Sequence, residues 1–215
     1  MLTFVSAKSQ KWRPGFFIDT RGQKVEGLIR ANPSGKGPVK DEGFIIYKEN
    51  KKGVEMRLSA SDIKCFVVEK DSFVVAHAPH NETWSRKELD FVKVVLDEPL
   101  KLYMLDGSTG GGGGGFHPSV SIGGGGGYGM GGGLGMSFGG DPYSGGRTKI
   151  TYFYGANTAE MEQLTPENFV DIMTDIMGDE PQAVEVIRSK KANLGNIQGL
   201  IKYFKQLKAS HVAGG

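Results

Sequence analysis

The fold is decided by the stretch FVKVVLDEPLKLYML, residues 91–105, together with TKITYFY, residues 148–154. Within the first stretch, Phe91–Asp97 and Leu100–Leu105 are rich in β-branched and aromatic residues and are separated by a short turn, a pattern typical of two adjacent strands. Residues 148–154 alternate between polar and apolar side chains in the same way. We therefore predict that Leu100–Leu105 pairs with residues 148–154, and that the chain between them is the loop of a long hairpin.

Upstream of residue 91, apolar segments occur in pairs that are joined by turn residues. Such spacing predicts successive antiparallel hairpins, because glycine in the turn permits a positive φ. The pairs are Gly15–Asp19 with Lys24–Arg30, Gly43–Tyr47 with Val54–Leu58, and Ile63–Glu69 with Ser72–Ala76. The sequence therefore predicts an antiparallel β domain of eight or nine strands, shaped as a sandwich or like a barrel.

The C-terminal part changes its hydrophobic period from two residues to between three and four. Apolar side chains recur at that spacing from Phe169 to Met177, from Ala183 to Ile187 and from Leu194 to Leu207. Each segment follows a proline or an asparagine at a position typical of a helix start. We therefore predict an α+β fold, in which a small C-terminal helical unit packs on the β-rich N-terminal domain or on itself.

These patterns divide the chain into five parts. We expect an N-terminal segment at 1–14, a β domain at 15–106 plus 147–155, a glycine-rich insertion at 107–146, a helical tail at 160–208 and a frayed C-terminus at 209–215.

The glycine-rich insertion, called the tract below, holds 21 of the 34 glycines in 40 residues. Its only acidic residue is Asp141, and it contains no Lys or Arg. Isolated aromatic and aliphatic side chains stand between the glycines, which is typical of a contact surface and not of a catalyst. The side chains that we predict to contact a partner protein are Phe116, Ile122, Tyr128, Met130, Leu134, Met136, Phe138 and Tyr143.

The free energy of ordering the tract supports a contact role. Fixing about 40 residues costs on the order of 40–80 kcal/mol of backbone entropy, and glycine loses more than any other residue. Full burial of about nine apolar side chains returns roughly 18 kcal/mol. The tract therefore takes one conformation only if something outside it supplies the difference. A solvated linker is the alternative, since Gly-rich segments commonly have that role.

Charge and cysteine content exclude several classes of protein. The formal net charge is +2, without the clustered basic residues that nucleic-acid binding requires, so we predict no nucleic-acid partner. No apolar stretch approaches the roughly 20 residues of a transmembrane helix. The single cysteine, Cys65, lies in an apolar run whose alternation predicts a strand, and one cysteine cannot form a disulfide within the chain.

One cluster carries residue types that bind metals. His77, His80 and Glu82 lie close together in sequence and could bind zinc or copper. Pro79 argues against a helix here, so the spacing that would place both histidines on one helical face is unavailable, and a polar loop is the simpler interpretation. Because no nucleophile, nucleophile elbow or cofactor motif accompanies the cluster, we predict a protein that is not an enzyme and has no cofactor.

Several short motifs resemble a loosely defined group of uncharacterised Bacteroidetes envelope proteins. The resemblance implies export, a β-rich N-terminal part and a helical C-terminal tail, and it implies no established activity. The glycine tract departs from the short turn of that group. The motifs are Gly15–Ile18, Gly27–Ile29, Asp62–Phe66, Phe91–Leu96, Leu102–Tyr103, Tyr152–Tyr154, Leu164–Phe169, Asp179–Val184 and Leu200–Phe204.

Three functions remain open on the sequence. The first is a non-enzymatic structural protein of the cell envelope or surface, periplasmic or extracellular, whose tract contacts a protein partner, with copies of itself as the expected partner. The second is a module that binds a small ligand or a peptide and whose tract is inert. The third is a metal-binding protein or hydrolase at His77 and His80. A cytoplasmic location is the alternative to the envelope.

Overall fold

The computed structural model describes residues 11–31, 33–79, 87–107 and 149–213. Within these ranges the chain forms ten β-strands and three α-helices. The strands are β1 (Arg13–Asp19), β2 (Lys24–Arg30), β3 (Phe44–Lys48), β4 (Met56–Ser59), β5 (Ile63–Val68), β6 (Asp71–His77), β7 (Leu89–Leu96), β8 (Lys101–Gly107), β9 (Lys149–Gly155) and β10 (Glu162–Gln163). The helices are α1 (Phe169–Ile176), α2 (Pro181–Arg188) and α3 (Ile197–Ala213).

All ten strands belong to one antiparallel sheet in the order β10-β9-β8-β7-β6-β5-β1-β2-β3-β4. The β-rich N-terminal part and the C-terminal helices confirm the predicted α+β fold. The sheet is not closed, because β10 and β4 are its two ends, so the strands do not form a complete barrel. Both end strands are short, with two and four residues, which limits the length of exposed strand edge.

The three upstream hairpins form with the predicted partners, β1 with β2, β3 with β4 and β5 with β6. In the first turn, Gly22 has a φ of 88°, and Asp19 Oδ1 accepts hydrogen bonds from the backbone N–H groups of Arg21 and Gln23. The sequence did not indicate that β1 also pairs with β5, since more than thirty residues separate these strands. This pairing joins the first two hairpins to the rest of the sheet.

The long hairpin is also confirmed. Strands β8 and β9 pair along their whole length, from Lys101 opposite Gly155 to Gly107 opposite Lys149. The two chain ends from which the tract departs are therefore held on neighbouring strands, at the Gly107 end of the hairpin. The opposite end of the hairpin lies roughly 20 Å away, because each strand residue advances the chain by about 3.3 Å.

The helical tail and the sheet share one hydrophobic core. Leu102 of β8 and Tyr152 of β9 belong to the same buried cluster as Phe169 and Met173 of α1 and Phe204 of α3. The helical stripe predicted from the sequence is therefore the face that the helices turn towards the sheet. Full burial of one such side chain contributes about 1.5–3 kcal/mol, so this cluster attaches the tail firmly.

Helix α1 begins three residues later than its proline predicts. The backbone N–H of Thr165 donates to Asn168 Oδ1 at 2.8 Å, and the backbone N–H of Asn168 contacts Thr165 Oγ1 at 3.4 Å. This reciprocal arrangement holds residues 166–168 as a turn that precedes Phe169.

The C-terminal helix extends further than the sequence indicates. We expected fraying from residue 209, whereas α3 is helical as far as Ala213. In the last turns, Ser210 Oγ donates to the backbone oxygen of Leu207 at 2.7 Å, and His211 Nδ1 lies 3.1 Å from Glu180 Oε1. The last turns of α3 therefore keep a polar contact with the segment before α2, beyond Leu207, where the apolar stripe of the helix ends.

Candidate functional site

The predicted contact residues of the tract lie outside the part of the chain that the structure describes. They are Phe116, Ile122, Tyr128, Met130, Leu134, Met136, Phe138 and Tyr143. Their role stays a prediction, and the structure describes only the two strands that flank them.

The histidine cluster is described in part. His77 is exposed at the last residue of β6, whereas His80 and Glu82 lie outside the described residues. Among the residues that are described, no group of three or more His, Cys, Asp or Glu is placed to hold a metal ion. The metal site at His77, His80 and Glu82 stays a prediction.

The half-buried Cys65 lies on β5, as its alternation predicts. Burial raises the pKa of its thiol, while a backbone hydrogen bond from Ile18 and the charge of Lys64 oppose that shift. A thiol with a raised pKa carries little thiolate at neutral pH, and the thiolate is the nucleophilic form. This environment suits a structural cysteine.

Trp12 packs against two basic side chains of the sheet. The guanidinium carbon of Arg30 lies 4.3 Å from the centre of its ring, and Lys48 Nζ lies 4.1 Å from that centre. Two cations therefore contact the indole, an arrangement that stabilises the ends of β2 and β3 against the N-terminal segment. Trp84 lies outside the described residues.

A cavity of about 770 Å³ opens at the end of the sheet opposite the tract. Its walls come from the start of β6, the end of β7, the start of β8, the residues after β9 and one side of α3. Because neighbouring strands are antiparallel, these starts and ends lie at the same edge. We call this cavity the lysine groove, after the five lysines among its lining residues, Lys64, Lys70, Lys101, Lys205 and Lys208.

Apolar side chains form part of the groove lining. Val74 and Val75 of β6 and Val94 and Val95 of β7 are partly buried there. The lining includes residues from both faces of the sheet. Val95 packs against the buried cluster that contains Phe204, whereas Val74 and Val94 pack against the cluster that contains Tyr103.

Two of the five lysines are neutralised by carboxylates. Lys101 forms an ion pair with Asp97, and Lys208 Nζ lies 2.8 Å from both Glu98 Oε2 and Asp179 Oδ2. The hydrogen bonds with Asp179 and Glu98, in that order, raise the pKa of Lys208. Lys208 therefore links α3 to the β7–β8 turn and to the segment before α2, and this link forms one wall of the groove.

The other three groove lysines, Lys64, Lys70 and Lys205, form no ion pair with any residue that the structure describes. Desolvation of its amino group lowers the pKa of Lys205, which is an exposed residue of α3, and the charge of Lys93 lowers it further, while Asp71 opposes the change. Lys93 itself lies 2.6 Å from Asp71 Oδ1. The carboxylate next to Lys205 is therefore already engaged by another lysine.

Sequence reasoning missed the lysine groove. Its lysines come from the start of β5, the β5–β6 turn, β8 and α3, and they form no run in the sequence. The only local signal is the spacing of Lys205 and Lys208 beside the buried Phe204, which places two cations next to the edge of the core. That spacing is common on solvated helix faces and carries little information alone.

Within the described residues, each helix falls short of the length and hydrophobicity needed to cross a membrane. The resemblance to Bacteroidetes envelope proteins, and the export that it implies, stay predictions. Comparisons with protein-family models, curated proteins and solved structures found no match to this chain.

Proposed function

We propose that this protein is a non-enzymatic structural protein whose glycine tract contacts a partner protein, with another copy of the chain as the expected partner. The observation that carries the proposal is the pairing of β8 with β9 as far as Gly107 opposite Lys149. The described buried clusters are built from residues on either side of the tract, so a folded scaffold is available to display it.

The composition of the tract fits a contact role. Aromatic and methionine side chains are enriched where proteins bind one another, and glycine lets a second backbone approach closely. Since the only charged residue from Gly107 to Gly146 is Asp141, little charge would be desolvated in such a contact. The free energy needed to order the tract would come from the partner surface.

The test is a variant in which residues 108–148 are replaced by Asn-Gly, a two-residue sequence that favours a tight hairpin turn. We expect a smaller assembly by light scattering with the fold preserved by circular dichroism. A matched control keeps the length of the tract and replaces its eight predicted contact residues with serine. An unchanged assembly size in both variants would contradict the proposal.

A second candidate function is favoured by the lysine groove. The cavity of about 770 Å³ falls in the range of roughly 300–1,000 Å³ that is usual for small-molecule sites. It lies at the opposite end of the β8–β9 hairpin from the tract. We therefore also propose that the protein binds a small ligand at this groove, a function that does not depend on the tract.

A further inference from the structure

We infer that the lysine groove binds an amphipathic anion, a molecule whose apolar body lies on valines of the groove wall and whose carboxylate, sulfate or phosphate group contacts Lys70 and Lys205. The inference rests on the ligand-binding candidate above and specifies the chemical class of the ligand.

The charges of the groove point to an anion. The carboxylates of Asp97, Glu98 and Asp179 are already paired with Lys101 and Lys208. Lys64, Lys70 and Lys205 form no ion pair with a described residue, so the groove keeps an excess of positive charge. Like charges that share a partly desolvated cavity repel one another, and a bound anion removes that repulsion.

The surroundings of Lys205 oppose its positive charge. Lys205 is exposed on α3, and desolvation of its amino group and the nearby charge of Lys93 both lower its pKa. Asp71, which would stabilise the ammonium form, is shared with Lys93. An anion beside Lys205 would favour its charged form, so this residue is the expected centre of the head-group site.

The apolar lining indicates that the ligand also has an apolar part. Val74, Val75, Val94 and Val95 remain only partly buried although they border the cavity. Covering such surface stabilises a complex in proportion to the apolar area removed from water, before the cost of immobilising the ligand. An inorganic anion would leave this surface in water, whereas an acyl or aryl chain would cover it.

The same residues argue against single-stranded nucleic acid as the ligand. Binding of this kind requires aromatic rings on which bases stack. The two aromatic residues of the groove, Tyr103 and Phe204, are each only 1% exposed and are held within the core. A compact anion with one apolar chain fits the available surface better than a polyanion does.

The experiment is isothermal titration of the full chain with four probes, each below its micelle concentration. Octyl sulfate carries both the apolar chain and a fixed negative charge, octanol lacks the charge, octyltrimethylammonium reverses it, and inorganic sulfate lacks the chain. We expect one saturable site for octyl sulfate, at least tenfold weaker binding of the other three, and weaker octyl sulfate binding at high salt, because salt screens the lysines.

Variants of the lysines locate the site. Lys205→Gln should weaken octyl sulfate binding about tenfold, since a hydrogen bond to a charged group contributes about 1.5–3 kcal/mol. Changing Lys70 and Lys205 together should abolish it. Lys202→Gln is the matched control, because Lys202 is an exposed residue of α3 that does not line the groove. Thermal midpoints of all variants report whether each is folded.

The outcomes distinguish a failure of the amphipathic-anion inference from a failure of the ligand-binding candidate. Equal affinity for octanol and octyl sulfate would overturn the anion inference and leave the ligand-binding candidate intact. Equal affinity for inorganic sulfate and octyl sulfate would show that the valines have no role and would overturn the amphipathic character. Binding that is unchanged in the variant that lacks both Lys70 and Lys205 would place the ligand elsewhere. Absence of binding by all four probes at millimolar concentration would overturn both proposals.

Discussion

The two ends of the β8–β9 hairpin differ in how their surface chemistry is encoded. At the Gly107 end the hairpin leads into the tract, a contiguous segment whose composition is visible in the sequence. At the Lys101 end the hairpin contributes to the lysine groove, which also needs residues from β5, β6, β7 and α3. A contiguous contact segment can therefore be identified from composition, whereas a composite cavity exists only once the strands and helices have assembled.

The two ends also differ in their dependence on the core. The groove borders the cluster in which Phe204 of α3 packs with Leu102 of β8, so changes in its wall affect packing. The tract begins where β8 ends, and the described strands and helices lie outside residues 108–148, so we expect the fold to persist when these residues are removed. Three changes test this difference in stability, in order of decreasing expected effect.

The largest expected effect comes from the groove end. Phe204→Ala should lower the free energy of unfolding by about 3–5 kcal/mol, because it removes a fully buried ring from the core shared by the sheet and the helices. Urea denaturation followed by circular dichroism measures the change. Tyr203→Ala, at the neighbouring half-exposed position, is the control and should cost far less. Equal losses for both variants would mean that α3 does not pack as described.

An opposite and smaller effect is expected at the tract end. Shortening the loop between β8 and β9 from about 40 residues to about four reduces the entropy of closing it, so the free energy of unfolding should rise by about 2 kcal/mol. The measurement is denaturation of a dilute sample, in which contacts between chains are minimal. A marked loss of stability would show that the tract is part of the folded core.

The smallest expected effect concerns Lys208, whose ion pairs form one wall of the groove. Lys208→Met should lower the free energy of unfolding by about 1 kcal/mol, because partly exposed pairs are screened by water. Its pKa is raised in the folded protein, so this contribution is complete below its ordinary pKa of about 10.4 and is lost as pH rises through the folded value.

The pH dependence provides the check on the Lys208 prediction. The stability difference between the wild-type protein and Lys208→Met should be constant near neutral pH and should shrink above about pH 10.4. Lys202→Met is the control and should show no comparable pH dependence, because Lys202 is exposed on the same helix and has no ion pair among the described residues. A difference that persists unchanged at high pH would mean that Lys208 acts through packing alone.

Much of the fold followed from local patterns. Alternation in Leu100–Leu105 and residues 148–154 predicted the pairing of β8 with β9, because side chains of a strand point alternately to its two faces. The apolar stripe of residues 169–177 predicted α1 for the corresponding helical reason. The exact start of α1 could not be predicted, because it depends on the reciprocal hydrogen bonds between Thr165 and Asn168.

Other features were beyond local reasoning because they join distant parts of the chain. The pairing of β1 with β5 brings together residues such as Phe17 and Phe66, which no nearby turn connects. Strand β10 is only two residues long and acquires its identity from pairing with β9. Both pairings are decided by the tertiary structure, because the free hydrogen-bonding groups of an edge strand can pair with any strand that has a suitable register and burial pattern.

By itself, the sequence determined the α+β class, the hairpins, the helical stripe and the position of the tract, because each depends on the spacing of side chains within one segment. Only the tertiary structure decided that the sheet is open, that α3 packs on β8 and β9, and that Lys64, Lys70 and Lys205 border one cavity. The physical reason is that electrostatic and packing interactions depend on distance in space, and segments far apart in the chain become neighbours only when the sheet and the helices bury their apolar faces together.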